Sequence, residues 1–287
     1  MSKVKIVTDS TADIPKALAE ELNITVVPLK VMFSEEESYE DGVTLTTQEF
    51  YQKLTATQSI PTTSQPTPFQ FEEVYRTLIH EGDTNILSIH LSARLSGTFQ
   101  SATIAKESLD DENVNLHVID SKRASYGIGL IVVELARLAE QGKSMQECLA
   151  RLEELLHDTK LYFLVDTLEY LQKNGRIGGA SALLGSLLKI KPILSLNEDG
   201  EVFPFEKVRG QKKALNRILE VLKEEFGDEP VHIGACHAMN ESLARELLER
   251  SRSEFDVKSE VLTNIGSVVG AHVGPGAVAL MVTKAKS

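Results

Sequence analysis

A chain of 287 residues, 42 % hydrophobic and 25 % charged, is long enough to bury a sizeable core and has room for one large domain or two ordinary ones. Its net charge of −12, from 42 acidic residues against 30 basic ones with no Lys/Arg-rich run, excludes nucleic acid and anionic membrane surfaces as natural partners. No stretch approaches the ~18 apolar residues of a membrane span, and the opening MSKVKIVTDSTAD meets Asp9 before any long apolar run, so no signal peptide is read there and a cytoplasmic location is expected, with Cys148 and Cys236 as reduced thiols.

Short apolar runs alternate with helical patterns, which reads as α/β. Residues 4–7 form a strand, 15–22 a helix and 24–33 a second strand, followed by a polar turn at 35–37 and a helix over 46–54. The segment 59–68, SIPTTSQPTP, has three prolines and no helical option. Helix 69–80, strand 85–90, helix 98–109, strand 116–119 and helices 128–141 and 145–156 complete a first α/β unit. After Thr159 the pattern changes. Strand 161–165 and short helix 168–173 lead to a glycine-interrupted apolar stretch over 177–188. Strands 190–196 and 201–208 then flank the turn Asn197-Glu198-Asp199-Gly200. Helix 211–226, strands 231–237 and 257–262 around a helix at 241–250, and strand 278–283 follow. The change of pattern places a boundary near 157–160, giving domains 1–158 and 159–287.

Four polar clusters fall just after strands or in the proline loop: Thr8-Asp9-Ser10-Thr11, Thr62-Thr63-Ser64-Gln65, Ser92 to Thr98, and Asp120-Ser121. In open parallel sheets ligands bind beyond the carboxyl ends of strands, where such loops converge. Ser96-Gly97-Thr98 stands at a helix start, where hydroxyls and free N–H groups favour an anion, although serine and threonine there serve equally well as plain helix caps. The fingerprints GxxxxGK[ST], GxGxxG after the first strand, GxSxG and HExxH are all absent, and the seven histidines are scattered, so no nucleotide, acyl-enzyme or metal chemistry is indicated and no cofactor is expected. His272 precedes the rigid turn Gly274-Pro275-Gly276. The uncharged run from Ala180 to Leu188 sets small residues between Leu183, Leu184, Leu187 and Leu188; it reads either as a core helix or as the wall of an apolar tunnel.

Taken in order, TDSTADIP (residues 8–15), Asp41-Gly42, TSQP (63–66), LSARLSGTFQSA (91–102), IDS (119–121), LEYLQKNGRIGG (168–179), IKPIL (190–194) and AHVGPGA (271–277) resemble the DegV family, which includes the fatty-acid-binding subunits of bacterial fatty acid kinase. The resemblance spans nearly the whole chain and departs at Asn174-Gly175-Arg176, where the family often has Gly-Gly-Arg. It implies two α/β domains, the first three-layered around a parallel sheet and the second built on a mixed sheet, with a long-chain fatty acid between them. It implies that Thr63, Ser96 and His272 bind the carboxylate, with Ser64 and Arg176 nearby, and that Arg209 meets the catalytic subunit of a fatty acid kinase. On this reading the chain is no enzyme; it presents the acid for acyl phosphate formation, a step in phospholipid metabolism. Two readings stay open beside it. One is a hydrolase-like enzyme on a small acid or acyl ester, with Ser96 and His272 oriented by Asp9 or Asp120. The other is a binding module for a different amphiphile or a small phosphate.

Overall fold

The computed structural model describes residues 3–57, 59–109, 113–185 and 191–286. A wholly parallel sheet takes its strands from the first part of the chain: β1 (Val4–Asp9), β2 (Thr25–Val27), β6 (Asn85–His90) and β7 (Asn115–Asp120), in the order β2-β1-β6-β7. Val4 and Ile6 of β1 face a cluster built with α1 (Lys16–Glu21), α5 (Tyr126–Glu140) and α6 (Met145–Asp158). Val7 faces the other way, onto α3 (Pro68–His80) and α4 (Thr98–Glu107). Both faces are covered, as a parallel sheet requires. Three helix starts are written into the sequence as reciprocal capping boxes: Thr46 with Glu49 opens α2 (Thr47–Ala56), Thr67 with Gln70 opens α3, and Ser144 with Glu147 opens α6.

A second, mixed sheet runs β10-β9-β8-β13-β11-β12, from β8 (Lys160–Leu164), β9 (Lys191–Leu196), β10 (Val202–Val208), β11 (Pro230–His237), β12 (Asp256–Asn264) and β13 (Val278–Lys284). Only β11 and β12 pair in parallel; the other pairs are antiparallel. Its outer face, with Val278, Leu280 and Val282 of β13 and Tyr162 and Leu164 of β8, packs on α8 (Gln211–Phe226) and α9 (Glu241–Glu254). The alternate residues Ala279, Met281, Leu161 and Phe163 point inward. Helix α5 lies between the two sheets and is buried along nearly its whole length. A small antiparallel sheet, β4-β3-β5, is formed by β3 (Lys30–Met32), β4 (Ser38–Glu40) and β5 (Thr62–Ser64). Every strand of the parallel sheet precedes Asp158 and every strand of the mixed sheet follows it. The largest apolar cluster nonetheless draws on both parts, from Leu29 to Met281.

Three expectations need correction. The single strand over 24–33 is broken at Pro28 into β2 and β3, which belong to different sheets; Pro28 has no N–H for a ladder, and the next amide, of Leu29, donates to Ser10 Oγ at 3.1 Å. The proline loop 59–68 contains β5, held to β3 with Thr63 opposite Val31. His272, expected just before a turn, lies inside an unanticipated helix, α10 (Ser267–Val273). The short helix after β8, α7 (Glu169–Lys173), lies where expected, and the Asn197–Gly200 turn joins β9 to β10 as an antiparallel hairpin.

Candidate functional site

A cavity enclosing ≈ 890 Å³ of atom-free space, part of it open to solvent, runs between the inner face of the mixed sheet, α10 and the loops beyond the parallel sheet. Thr63, Gln65, Ser96, Arg176 and His272 all line it. Most of the remaining wall is aliphatic or aromatic, including the inward residues of β8 and β13 and Val268, Val269 and Val273 of α10.

Each polar side chain is positioned by its element. Thr63 sits in the middle of β5, and its Oγ1 is hydrogen-bonded to His272 Nε2 at 2.8 Å across 209 residues of sequence. Strand alternation sends Thr63 and Gln65 into the cavity, whereas Ser64, between them, does not line it. Ser96 lies in the turn before α4, its Oγ paired with Thr98 Oγ1 at 2.9 Å and accepting from the Thr98 amide at 3.3 Å. Ser96 thus lines the cavity without capping α4, whose cap residue is Gly97 and has no side-chain cap bond. His272 occupies the last turn of α10. Two buried aspartates hold the other end of that helix: Asp13 Oδ1 accepts from the Gly266 amide at 2.9 Å and Asp41 Oδ1 from the Ser267 amide at 3.1 Å. Gly274, at φ +75, ends the helix against the Tyr170 ring, where a Cβ would stand 2.4 Å from a ring carbon.

Burial, reinforced by the charge of Arg176, pushes the His272 imidazole down to about 4, so it is neutral at pH 7. Its Nδ1 is buried without a hydrogen-bond partner among the described residues. The Arg176 guanidinium donates from Nε to Leu95 O at 3.0 Å and from Nη1 to Asn174 O at 2.7 Å, pinning it beside the Ser96 turn. The site thus offers hydroxyl, imidazole and guanidinium groups at one region of an otherwise apolar cavity, which suits an amphiphile with an anionic head.

The described part of the 180–188 run, residues 180–185, does not line the cavity. Leu183 is buried in the surrounding core and Leu184 is 40 % exposed; neither lines the cavity, and Leu187 and Leu188 fall outside the described residues. The short 3-10 turn Gly178–Leu183 presents its apolar residues to β10 and the core instead. The wall residues lie on LYFL and VALMVT, unbroken apolar runs in which nothing in the sequence separates the inward face from the outward one. Arg209 is exposed in the connection between β10 and α8, outside the cavity lining.

A serine–histidine–acid arrangement is not assembled. His272 Nε2 faces Thr63, Asp9 Oδ2 is bound to His90 Nδ1 at 3.0 Å, and Asp120 Oδ1 accepts the amides of Ala93 and Lys122. Among the described residues no group of three or more His, Cys, Asp or Glu side chains could hold a metal, and Cys148 and Cys236 are both free and buried.

Comparison with known proteins places these features in one lineage. The model of the DegV family, described as uncharacterised, matches residues 3–285. A DegV domain-containing protein of Halalkalibacterium halodurans is 39 % identical over 281 residues, covering 98 % of each chain. Among solved structures, a DegV family protein from Thermus thermophilus described by its fatty acid binding superposes with a TM-score of 0.91 at 36 % identity, over 99 % of this chain and 100 % of that one. A stearic-acid-binding protein from Eubacterium ventriosum superposes with a TM-score of 0.90 at 29 % identity, over 98 % of both chains. With the family model covering almost every residue and relatives matching from end to end, the chain belongs to the DegV family.

Proposed function

We propose that the protein binds one long-chain fatty acid, with the carboxylate at Thr63, Ser96 and His272 and the acyl chain in the apolar cavity, and presents it to a separate kinase. The observation that carries this reading is the 2.8 Å pair of Thr63 Oγ1 and His272 Nε2 in the wall of a mostly apolar cavity shared with Ser96 and Arg176. A carboxylate removed from water needs its lone pairs satisfied, and hydroxyl and imidazole groups can do that without a metal or cofactor. The acyl chain supplies most of the affinity, at about 0.8 kcal/mol gross per buried methylene before association costs. The relatives described as binding fatty acid or stearic acid favour this class of ligand.

The kinase role follows from what the sequence lacks and from the family resemblance: no nucleotide-binding fingerprint is present, so phosphoryl transfer to the bound acid is assigned to a partner. Arg209 is the residue proposed to meet that partner. The test of the clamp is calorimetric. Ser96→Ala combined with His272→Ala is expected to weaken binding of a saturated long-chain fatty acid by about 1–3 kcal/mol for each of the two donors lost to a buried anion. Wild-type affinity in the double variant would remove the clamp, and a purified protein that takes up no fatty acid at all would remove the ligand class.

A further inference from the structure

Asn174 stands where the family resemblance leads one to expect glycine, and the structure gives its side chain a specific task. The residue follows α7, and Gly175, at φ +68, turns the chain sharply before Arg176. Asn174 Nδ2 donates to two backbone carbonyls far apart in sequence: Pro61 O at 3.2 Å and Ala271 O at 2.9 Å. Pro61 is buried and lies two residues before Thr63, at the entry to β5; Ala271 is fully buried and immediately precedes His272 in α10. Both halves of the Thr63–His272 pair are thus tied to one amide group. The backbone of the same residue reaches a third site segment, because Asn174 O accepts from Arg176 Nη1 while Arg176 Nε holds Leu95 O, next to Ser96.

The two carbonyls matter for different reasons. Ala271 O belongs to the last turn of α10, whose carbonyls have no partner within the helix, so a buried donor from outside is what satisfies it. Pro61 O stands at the start of a strand only three residues long, which has little pairing of its own to fix its position. A glycine at 174 would leave both without this donor.

We propose that Asn174 is a positioning residue of the ligand site: its carboxamide nitrogen sets the spacing of Thr63 and His272 by bridging β5 to α10. The inference rests on the reading of Thr63 and His272 as carboxylate ligands, and it predicts an effect in the unliganded protein as well. Two measurements are made on purified protein: affinity for stearic acid, and the titration of the His272 imidazole by NMR without ligand. Asn174→Ala is expected to weaken stearic acid on the order of tenfold, as for a lost hydrogen bond to a buried carbonyl. It is also expected to move the His272 titration from about 4 towards 6.5, because the ring is no longer held in its buried position. Asn174→Gln, which keeps the donor on a longer arm, should recover part of both. If the alanine variant fails to fold, Asn174→Ser, whose shorter side chain cannot bridge both carbonyls, takes its place in the comparison. Unchanged affinity with an unchanged His272 titration overturns the proposal. So does a loss of affinity that leaves the titration where it was and that glutamine does not repair, since that is general destabilisation. Should wild type bind no stearic acid, the ligand reading fails, but a shifted His272 titration in Asn174→Ala still supports the positioning role.

Discussion

At the scale of single residues, His272 combines burial, a hydroxyl partner on one nitrogen and none among the described residues on the other. Its imidazole titrates near 4 rather than 6.5 because desolvation, and then Arg176, disfavour the charged form. The unfolded chain therefore takes up this proton first, so the native state loses stability as pH falls from 6.5 towards about 4. A bound carboxylate reverses the bias, since a neighbouring negative charge favours imidazolium. Thermal unfolding across that range should show ligand-free wild type losing stability more steeply than His272→Gln, with the difference shrinking when fatty acid is bound. Parallel pH profiles for wild type and variant, with and without ligand, would falsify the assignment of His272 to the head-group end. The sequence made His272, Thr63 and Ser96 candidates through family motifs, and those three share the cavity. It offered no means of seeing that Ser64 turns away, because that depends on a three-residue strand inside a proline-rich segment read as loop.

At the scale of elements, the cavity is a product of strand alternation. In β13, Val278, Leu280 and Val282 join α8 and α9 in the outer core, while Ala279 and Met281 face the cavity; β8 repeats the division with Leu161 and Phe163 facing inward. Ala279 is the smallest of these inward residues, so enlarging it acts on the space itself. Ala279→Leu is expected to move the preference towards shorter fatty acids, and any stability cost should stay within the roughly 1–3 kcal/mol of an overpacked core. Native mass spectrometry with a ladder of saturated acids measures it; an unmoved chain-length profile would take β13 out of the acyl wall. Most elements were legible because each carries a local code, such as the capping boxes of α2, α3 and α6 or the Asn197–Gly200 turn. α10 was not, since SVVGAHV is short, contains a glycine, and is held at its start by Asp13 and Asp41 from more than 200 residues away. The division of residues 24–33 was hidden for a related reason: the two halves are sorted by which sheet receives them, and only Pro28 hints at the break.

At the scale of the whole molecule, the acidic chain carries a basic cluster in the segment 207–213, short of the Lys/Arg-rich run that its composition lacks. Lys207, Arg209, Lys212 and Lys213, all exposed, gather around the connection from β10 to α8. Such a patch can engage an acidic partner surface or a phosphate, with arginine the more suited to a bidentate contact. If the proposed kinase meets this patch, Arg209→Ala leaves fatty acid affinity intact while acyl phosphate formation with a fatty acid kinase and ATP falls; equal turnover by both proteins would end the role given to Arg209. The order of the mixed sheet has its own bearing on how the site comes to exist. β13 follows every other strand of the mixed sheet in chain order, yet it is inserted between β8 and β11, and it carries Ala279 and Met281 of the cavity wall. Until it arrives, β8 and β11 have open edges and the cavity lacks one side. The cavity proposed to take the acyl chain is therefore complete only once the sheet has closed around β13.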